Sequence, residues 1–497
     1  MILLAHILLP FTYILLALLI KKASIKSRLA VLFATFNLLW ALALLPIVQF
    51  KDIIVVQVGG WAAPYGISLV ADRFSVFMLI MTAIVFFLVT IYATQSVDKA
   101  RRKSGHFFFT FGILMGVNGS FIAGDIFNLY VWYEVMLMSS FILMSLGGER
   151  AQMEGSIKYL ILNLISALFF VSGVGLLYGN LGTLNMADLS AIISEKSHML
   201  THLNPALILM VVSFAIKGAL VPFFFWLPAS YHTPPPAVSA LLAGLLTKVG
   251  IYSLIRFYTL FLYHDAPFWN QLILWMGVLS MVIGVFAASS QFDFRKILSF
   301  HIISQVGYVV IGLGFYTVSG IAAAIFFLAH NMLSKTNAFL VAGWVKRQKG
   351  TLNLKTLGEV YKESPVWGVL FFISAFSLAG LPPLSGFIGK YLIIKAGIEA
   401  NYIVVALIAL FVGLFTLFSM VKIWLEVFWK DVPKDRVVKI PEKKRKSQYM
   451  LTASIIMAIL IVAMGLWAQP IVTYCEQAAV DLLNPELYID RVLNFSR

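Results

Sequence analysis

SFAIKGALVPFFFWLPASYHTPPPAVSALLAGLLTKVGIYSLIR, residues 213–256, is the stretch on which the reading of this chain turns. Two long apolar segments meet in it, and each carries a lysine near its middle, Lys217 and Lys248. Between them the backbone is interrupted by Pro222, Pro228 and the triplet Pro234, Pro235 and Pro236. A lysine at the centre of a membrane helix costs roughly 2.5–3.5 kcal/mol on insertion scales. A proline inside a helix removes a backbone hydrogen bond and crowds the preceding turn. Helices broken at membrane depth persist only where protein or a water-filled cavity covers the freed backbone groups. Charge buried beside a broken helix therefore marks a transport site. The competing reading is a packing kink with lysines snorkelling to the surface, and both lysines lie too deep in their segments for that.

The rest of the chain agrees with a membrane setting. Of 497 residues, 61% are hydrophobic and only 12% are charged. Apolar runs of roughly twenty residues recur along the chain, which predicts an all-α polytopic membrane protein. Fourteen spans are expected, over 1–20, 29–50, 72–94, 106–123, 126–146, 155–179, 205–230, 236–262, 270–289, 296–315, 320–345, 365–395, 402–429 and 449–469. The first is read as a retained span, because it lacks a basic start and a clear cleavage site.

Loop charge sets the orientation. Lys21, Lys22, Lys26 and Arg28 follow span 1, and Lys99, Arg101, Arg102 and Lys103 follow span 3. Lys346, Arg347, Lys349, Lys355 and Lys362 follow span 11, and KDVPKDRVVKIPEKKRK follows span 13. The loops after even-numbered spans are nearly bare, with only Lys196 in the long one after span 6. By the positive-inside rule both termini lie outside the cytoplasm. The net charge of +15 thus belongs to membrane loops and gives no reason to expect nucleic acid. One cysteine, Cys475, excludes an internal disulfide and a Cys-based metal or iron–sulfur site.

Spans 4–8 and 9–13 read as two sets of five, each with its fourth helix broken. The first break is LVPFFFWLP; the second is AGLPPLSGFIGK, with Pro382 and Pro383. Five is odd, so the second set enters from the opposite side, giving an inverted-topology repeat. The expected units are 1–104 (spans 1–3), 105–263, 264–430, and 431–497 with the basic loop, span 14 and the tail. The loop 180–204 is expected to carry a short surface helix. The tail, with Val480, Leu483 and Leu487 at helical spacing, is expected along the membrane face or against a partner.

The chemistry sits at mid-membrane: Glu134 in span 5, Lys217 in span 7, Lys248 in span 8, Lys335 with His330 in span 11, and Lys390 in span 12. Lysine, unlike arginine, can exchange its proton in a desolvated site. Glu134 and Lys217 read as a switchable acid–base pair, and the later lysines as relay sites joined by water held at the broken backbone. Each has a plainer alternative: a fixed ion pair for Glu134 and Lys217, a tether to a carbonyl for Lys248, static bonds from Asn331 and Ser334 for Lys335. His330 is as readily a merely hydrogen-bonded histidine, and His301 lies nearer the cytoplasmic end. Lys422 and Glu426 read as an ordinary helix pair, Asp125 as an N-cap, and Trp40, Trp61, Trp367, Trp429 and Trp467 as interface anchors. No phosphate-binding GxxxxGK[ST] loop, bis-histidine pattern or nucleophile–base set is present, so no cofactor and no enzyme activity are expected.

Three long stretches resemble a known family: FIAGDIFNLYVWYEVMLMSSFILMSL, WLPASYHTPPPAVSALLAGLLTKVGIYSLIRF and FSLAGLPPLSGFIGKY. They are similar to the antiporter-like proton-translocating subunits shared by respiratory complex I and the Mrp-type Na⁺/H⁺ antiporters, over roughly residues 70–430. GDIFNLYVWYEVMLMSS and GNLGTLNMADLS most resemble the D-type branch of the Mrp antiporters. The resemblance implies that Glu134 and Lys217 form the family's pair, that Lys248 is its relay lysine, and that Lys390 is its terminal residue. Lys335 and His330 fall where the family's relay residues vary. Nothing in span 10 mirrors Glu134, a departure that makes the two repeats chemically unequal. The resemblance further implies a bacterial plasma-membrane hetero-oligomer of Mrp subunits that exchanges Na⁺ for protons. The rival expectations are a redox-driven pump subunit of complex I or a membrane-bound hydrogenase, a stand-alone solute transporter, and a non-transporting assembly subunit.

Overall fold

The computed structural model describes residues 2–195, 200–263, 266–432 and 447–494. Lys196, Asp265 and most of the basic run after span 13 (433–446) lie outside the described residues.

The chain opens with α1 (Ala5–Leu19) and α2 (Ala23–Lys51). A hairpin of β1 (Ile54–Gln57) and β2 (Ser68–Ala71) follows, antiparallel, with Ile54 opposite Ala71. It stands where the sequence suggests a plain loop; the β-branched run IIVV is its local signal. Next come α3 (Arg73–Ser96), α4 (Lys99–Lys103), α5 (His106–Ile122), α6 (Ile126–Ser145) and α7 (Arg150–Leu181). The expected short helix is α8 (Met186–Glu195). The first broken span is α9 (Leu200–Gly218) with α10 (Trp226–Ser230), followed by α11 (Pro236–Phe257), α12 (Ala266–Ser290), α13 (Phe294–Gly314) and α14 (Val318–Lys349). After the one-turn α15 (Val360–Glu363), the second broken span is α16 (Pro365–Ala379) with α17 (Ser385–Glu399). The chain closes with α18 (Ile403–Ile423), α19 (Gln448–Leu466), α20 (Ala468–Leu482) and α21 (Pro485–Leu493).

Ten of the described helices are long and apolar enough to cross a membrane. Four apolar helices are shorter, and two of these, α9 and α16, are short because a break interrupts them. Hydrophobicity runs opposite to the rule for a water-soluble protein. Leu168, Leu407 and Leu414 point outwards, whereas α14 buries His330, Asn331, Ser334, Lys335, Thr336 and Asn337 in succession. A lipid solvent makes this sensible: apolar side chains lose nothing by facing acyl chains, and polar groups must find partners inside. α3, α11, α13 and α14 form the buried centre.

Two hairpins are closed alike. Asp125 caps α6 by accepting from Asn128 N at 2.8 Å, and Asp293 caps α13 by accepting from Lys296 N at 3.0 Å. Asp125 bridges to Asn185 after α7, and Asp293 to Asn353 after α14, through matched backbone bonds. α7 and α14 each run 32 residues and end at a left-handed glycine, Gly182 and Gly350, followed both times by Thr-Leu-Asn. The starts of α7 and α13 line one cleft through Glu154, Lys158 and Lys296. The two hairpins therefore run in opposite directions. A second cleft holds Lys99, Arg101 and Arg102 together with Lys346 and Arg347, so two of the basic loops share a face.

Several expectations need correction. α20 packs on α3 and α14, and α21 on α8, so one face of the tail lies against this chain itself. Its buried face is Cys475, Ala478, Ala479 and Leu482, while Val480 is exposed. Arg73 fastens it through Asp481 at 2.5 Å. Lys422 donates to the carbonyls of Ser289 and Gln291, and Glu426 pairs with Lys430 instead. Trp367 is buried and stacked on Trp344; the other four expected anchors are exposed.

Candidate functional site

Each break leaves helix ends without intrahelical partners, and the sequence reading expects water there. The structure meets these groups with protein. At the first break, Leu220 N donates to Ala215 O at 2.9 Å, Trp226 Nε1 to Ile216 O at 2.9 Å, and Val221 N to Ser280 Oγ at 3.0 Å. At the second, Leu381 N donates to Phe376 O at 3.0 Å and Gly386 N to Ser377 Oγ at 3.2 Å. The last carbonyl of α16, Ala379 O, accepts from Lys390 Nζ at 2.9 Å. A cation at a helix C-terminus is where the peptide dipoles favour it.

Lys217 lies in the last turn of α9, where the same dipole argument holds. Its Nζ stands 5.5 Å from the centroid of the Tyr133 ring and has no hydrogen-bond partner. Tyr133 in turn donates to Ser253 Oγ on α11 at 2.7 Å. Two glycines make this approach possible. A Cβ at Gly250 would stand 2.5 Å from Gly218 N and 2.8 Å from Lys217 C. Glu134, half-buried on α6, has an Oε1 without a partner. Glu134 and Lys217 thus lie within range of each other's charge and form no closed ion pair.

The remaining members run inward across the core. Lys248 Nζ donates to Ala243 O at 2.6 Å and to Thr247 Oγ1 at 3.3 Å, so it does hold a carbonyl. Lys335 is fully buried and its Nζ is unpartnered. His330 Nδ1 lies 2.9 Å from Ser385 Oγ, with Ser334 at 3.2 Å and Ser377 at 3.4 Å, while Nε2 is free of partners. His330 therefore ties α14 to both halves of the second broken helix. Lys390 stands 5.0 Å from the Tyr308 ring centroid, on α13. His301 Nε2 lies 2.6 Å from Ser419 Oγ on α18, within charge range of Lys335 and Lys390. Among the described residues the only buried carboxylate is Asp72, and Arg256 holds it at 2.7 Å.

Pro228 lines a cleft of about 690 Å³ with Glu154, Lys158, His232 and Lys296. Pro234, Pro235 and Pro236 line the neighbouring cleft of about 610 Å³. The proline-rich turn between α10 and α11 thus separates two openings on one face. Pro222 lies in the first break between α9 and α10, and Pro382 and Pro383 lie in the second. Sequence reasoning misses Ser377 and Ser385, the hydroxyls flanking the second break, although SLAGLPPLSG contains both.

The transmembrane-domain model described as NADH:quinone oxidoreductase/Mrp antiporter matches residues 123–416. The Na⁺/H⁺ antiporter D subunit of Alkalihalophilus pseudofirmus is 43% identical over 489 residues, 98% of each chain. Its counterpart of the same name in Bacillus subtilis is 40% identical over 89% of each. Among solved structures, a chain of the Mrp complex from Dietzia sp. superposes with a TM-score of 0.91 at 30% identity, covering 98% of this chain and 99% of that one.

Proposed function

The chain belongs to the NADH:quinone oxidoreductase/Mrp antiporter family, and on that premise we propose that it is the D-type member of a multisubunit Na⁺/H⁺ antiporter, carrying protons along the row Glu134, Lys217, Lys248, Lys335, His330 and Lys390. The observation that carries this reading is the row itself: four buried lysines on four helices around one core, two with an unpartnered Nζ. Packing alone gives no reason to bury that many bases without a counter-charge.

The mechanism follows from the contacts. Glu134 and Lys217 are close enough to interact and not bonded, so a small movement of the α9 end opens or closes the pair. Closed, the carboxylate holds a proton on Lys217. Open, repulsion from the other lysines favours its release along the row. Each charge crossing the membrane gains about 2.3 kcal/mol per 100 mV. Partner subunits of the complex couple this flow to Na⁺ export. The setting is the bacterial plasma membrane, with both termini outside the cytoplasm; the shared face of two basic loops supports that orientation. Relatives bearing the antiporter name along nearly their whole length favour antiport over a redox-driven pump.

The test is Na⁺-driven ΔpH in everted vesicles holding the whole complex, comparing wild type with Glu134→Gln and Lys217→Ala at matched abundance. Both variants are expected to lose antiport with the complex assembled. Antiport at the wild-type rate in both would move the proton path to other subunits.

A further inference from the structure

One junction of the row has a small cavity at it. Lys248 on α11 and Lys335 on α14 line the same enclosed cavity, yet no hydrogen bond links them. About 10 Å³ of it is open to the centre of a water molecule, room for one. α13 forms the third wall and contributes Gln305; α14 adds Asn331. Gln305 is 2% exposed, and neither its amide oxygen nor its nitrogen has a partner. Asn331 donates to Phe327 O at 2.9 Å, which leaves its Oδ1 unpartnered. Lys335 Nζ completes the set. Buried donors and acceptors left unmade are costly. A buried water making two to four bonds is the usual way such groups are satisfied.

Lys248 is prepared for the same site by counting its bonds. An ammonium has three N–H donors. Two are taken by Ala243 O and Thr247 Oγ1. One position is left over for the cavity: an N–H when the lysine is charged, a lone pair when it is neutral.

We propose that Gln305 and Asn331 hold a single water between Lys335 and Lys248, and that this water is the proton's crossing point from α14 to α11. The proposal rests on the row being the proton path. In the transfer, an N–H bond breaks at the Lys335 ammonium and its proton passes to the water. The water gives another proton to the lone pair of Lys248, where an N–H bond forms, and is left as water. The reverse transfer uses the same bonds. Gln305 and Asn331 exchange no proton; they are positioning residues, and the breaks, already closed by protein, are not needed to hold this water.

The experiment uses the intact complex in everted vesicles, in H₂O and in D₂O, at matched abundance. It compares wild type, Gln305→Leu, Asn331→Leu, Gln305→Asn and Glu134→Gln. Each leucine variant is expected to slow antiport about tenfold to a hundredfold, the range for a lost buried hydrogen-bond partner, and to raise the H₂O/D₂O rate ratio. Gln305→Asn, which keeps a neutral amide in the cavity, is expected to recover most of the rate. Wild-type rates in both leucine variants beside an inactive Glu134→Gln would overturn the water site and leave the row standing. Antiport in all variants would overturn the row itself. A slow Gln305→Leu with an unchanged isotope ratio and no recovery in Gln305→Asn would make the amide a packing group and also overturn the proposal. If Gln305→Leu does not assemble, Asn331→Leu decides by the same two readouts.

Discussion

Substituting Gly250 with alanine tests whether the crossing of α9 and α11 sets the position of Lys217. The added Cβ would stand 2.5 Å from Gly218 N, 2.8 Å from Lys217 C and 3.0 Å from Lys217 Cβ. Two of these atoms are backbone, so no rotamer change relieves the contact. Ordinary contact begins near 3.4 Å, so the helices must part by about 0.9 Å at this point. Overpacking of this kind costs about 1–3 kcal/mol. Replacing a helical glycine by alanine returns roughly 0.5–1 kcal/mol. The net loss of stability is then about 0–2.5 kcal/mol, small enough for the complex to assemble. The effect on transport is larger, because a misplacement near 1 Å in a reacting group can cost roughly a hundredfold. Gly175→Ala is the control: it lies on α7 with nothing within 4 Å of its added Cβ. Thermal unfolding of the purified complex and Na⁺-driven ΔpH in vesicles are measured on the same preparations. The expected pattern is a modest loss of stability with antiport down ten- to a hundredfold for Gly250→Ala, and slightly raised stability with unchanged antiport for Gly175→Ala. Full antiport in Gly250→Ala would show that the helix crossing does not place Lys217, and the geometric argument would fail.

Contacts away from the row give three more tests. Arg256→Ala strands the buried Asp72 carboxylate, and breaking such a pair costs about 3–5 kcal/mol in thermal or denaturant unfolding; Asp72→Asn with Arg256→Met is expected to regain much of it. Loss of a helix cap costs about 0.5–2 kcal/mol, so Asp125→Ala and Asp293→Ala should destabilise by similar amounts and leave the antiport rate per assembled complex unchanged. His232 lies in the turn after α10, where burial first and then Lys296 lower its pKa from 6.5. The native state therefore takes up that proton less readily than the unfolded chain. Its stabilising contribution is complete above pH 6.5 and is lost as the pH falls, and His232→Gln should flatten that part of a melting-temperature profile.

The parts of this molecule that a linear reading recovers are those whose signal is local. Prolines at 222, 228, 382 and 383 announce the breaks, because a proline costs a helix one of its hydrogen bonds wherever it stands, although Pro46 is carried inside α2. Lysines in apolar runs announce themselves by their cost. Gln305 has no such signal: an amide in a helix is unremarked until α11 and α14 close around it and leave it unbonded. The β1–β2 hairpin joins Gln57 to Ser68, partners known only once paired. The tail misleads for a physical reason. In lipid, Val480 loses nothing by facing outwards, and close helix approach favours small residues such as Ala478 and Ala479. Sequence spacing pairs Lys422 with Glu426, but carbonyls from the end of α12, brought near only by packing, take the ammonium first.

The twin closures at Asp125–Asn185 and Asp293–Asn353 bear on how such a protein can work at all. Each fastens the two long uprights of a hairpin together at one end, and the hairpins stand head to foot, so one clasp lies at each surface. A frame clasped top and bottom resists shear between its uprights. Rocking of one half against the other would leave both clasps whole, because each joins helices of the same half; sliding of α6 past α7, or of α13 past α14, would tear one. Amide exchange at Ile126, Met186, Phe294 and Leu354, whose backbone bonds make the clasps, should stay slow throughout turnover. On the proposed path, charge would then be handed between side chains carried by hairpins whose uprights do not slide.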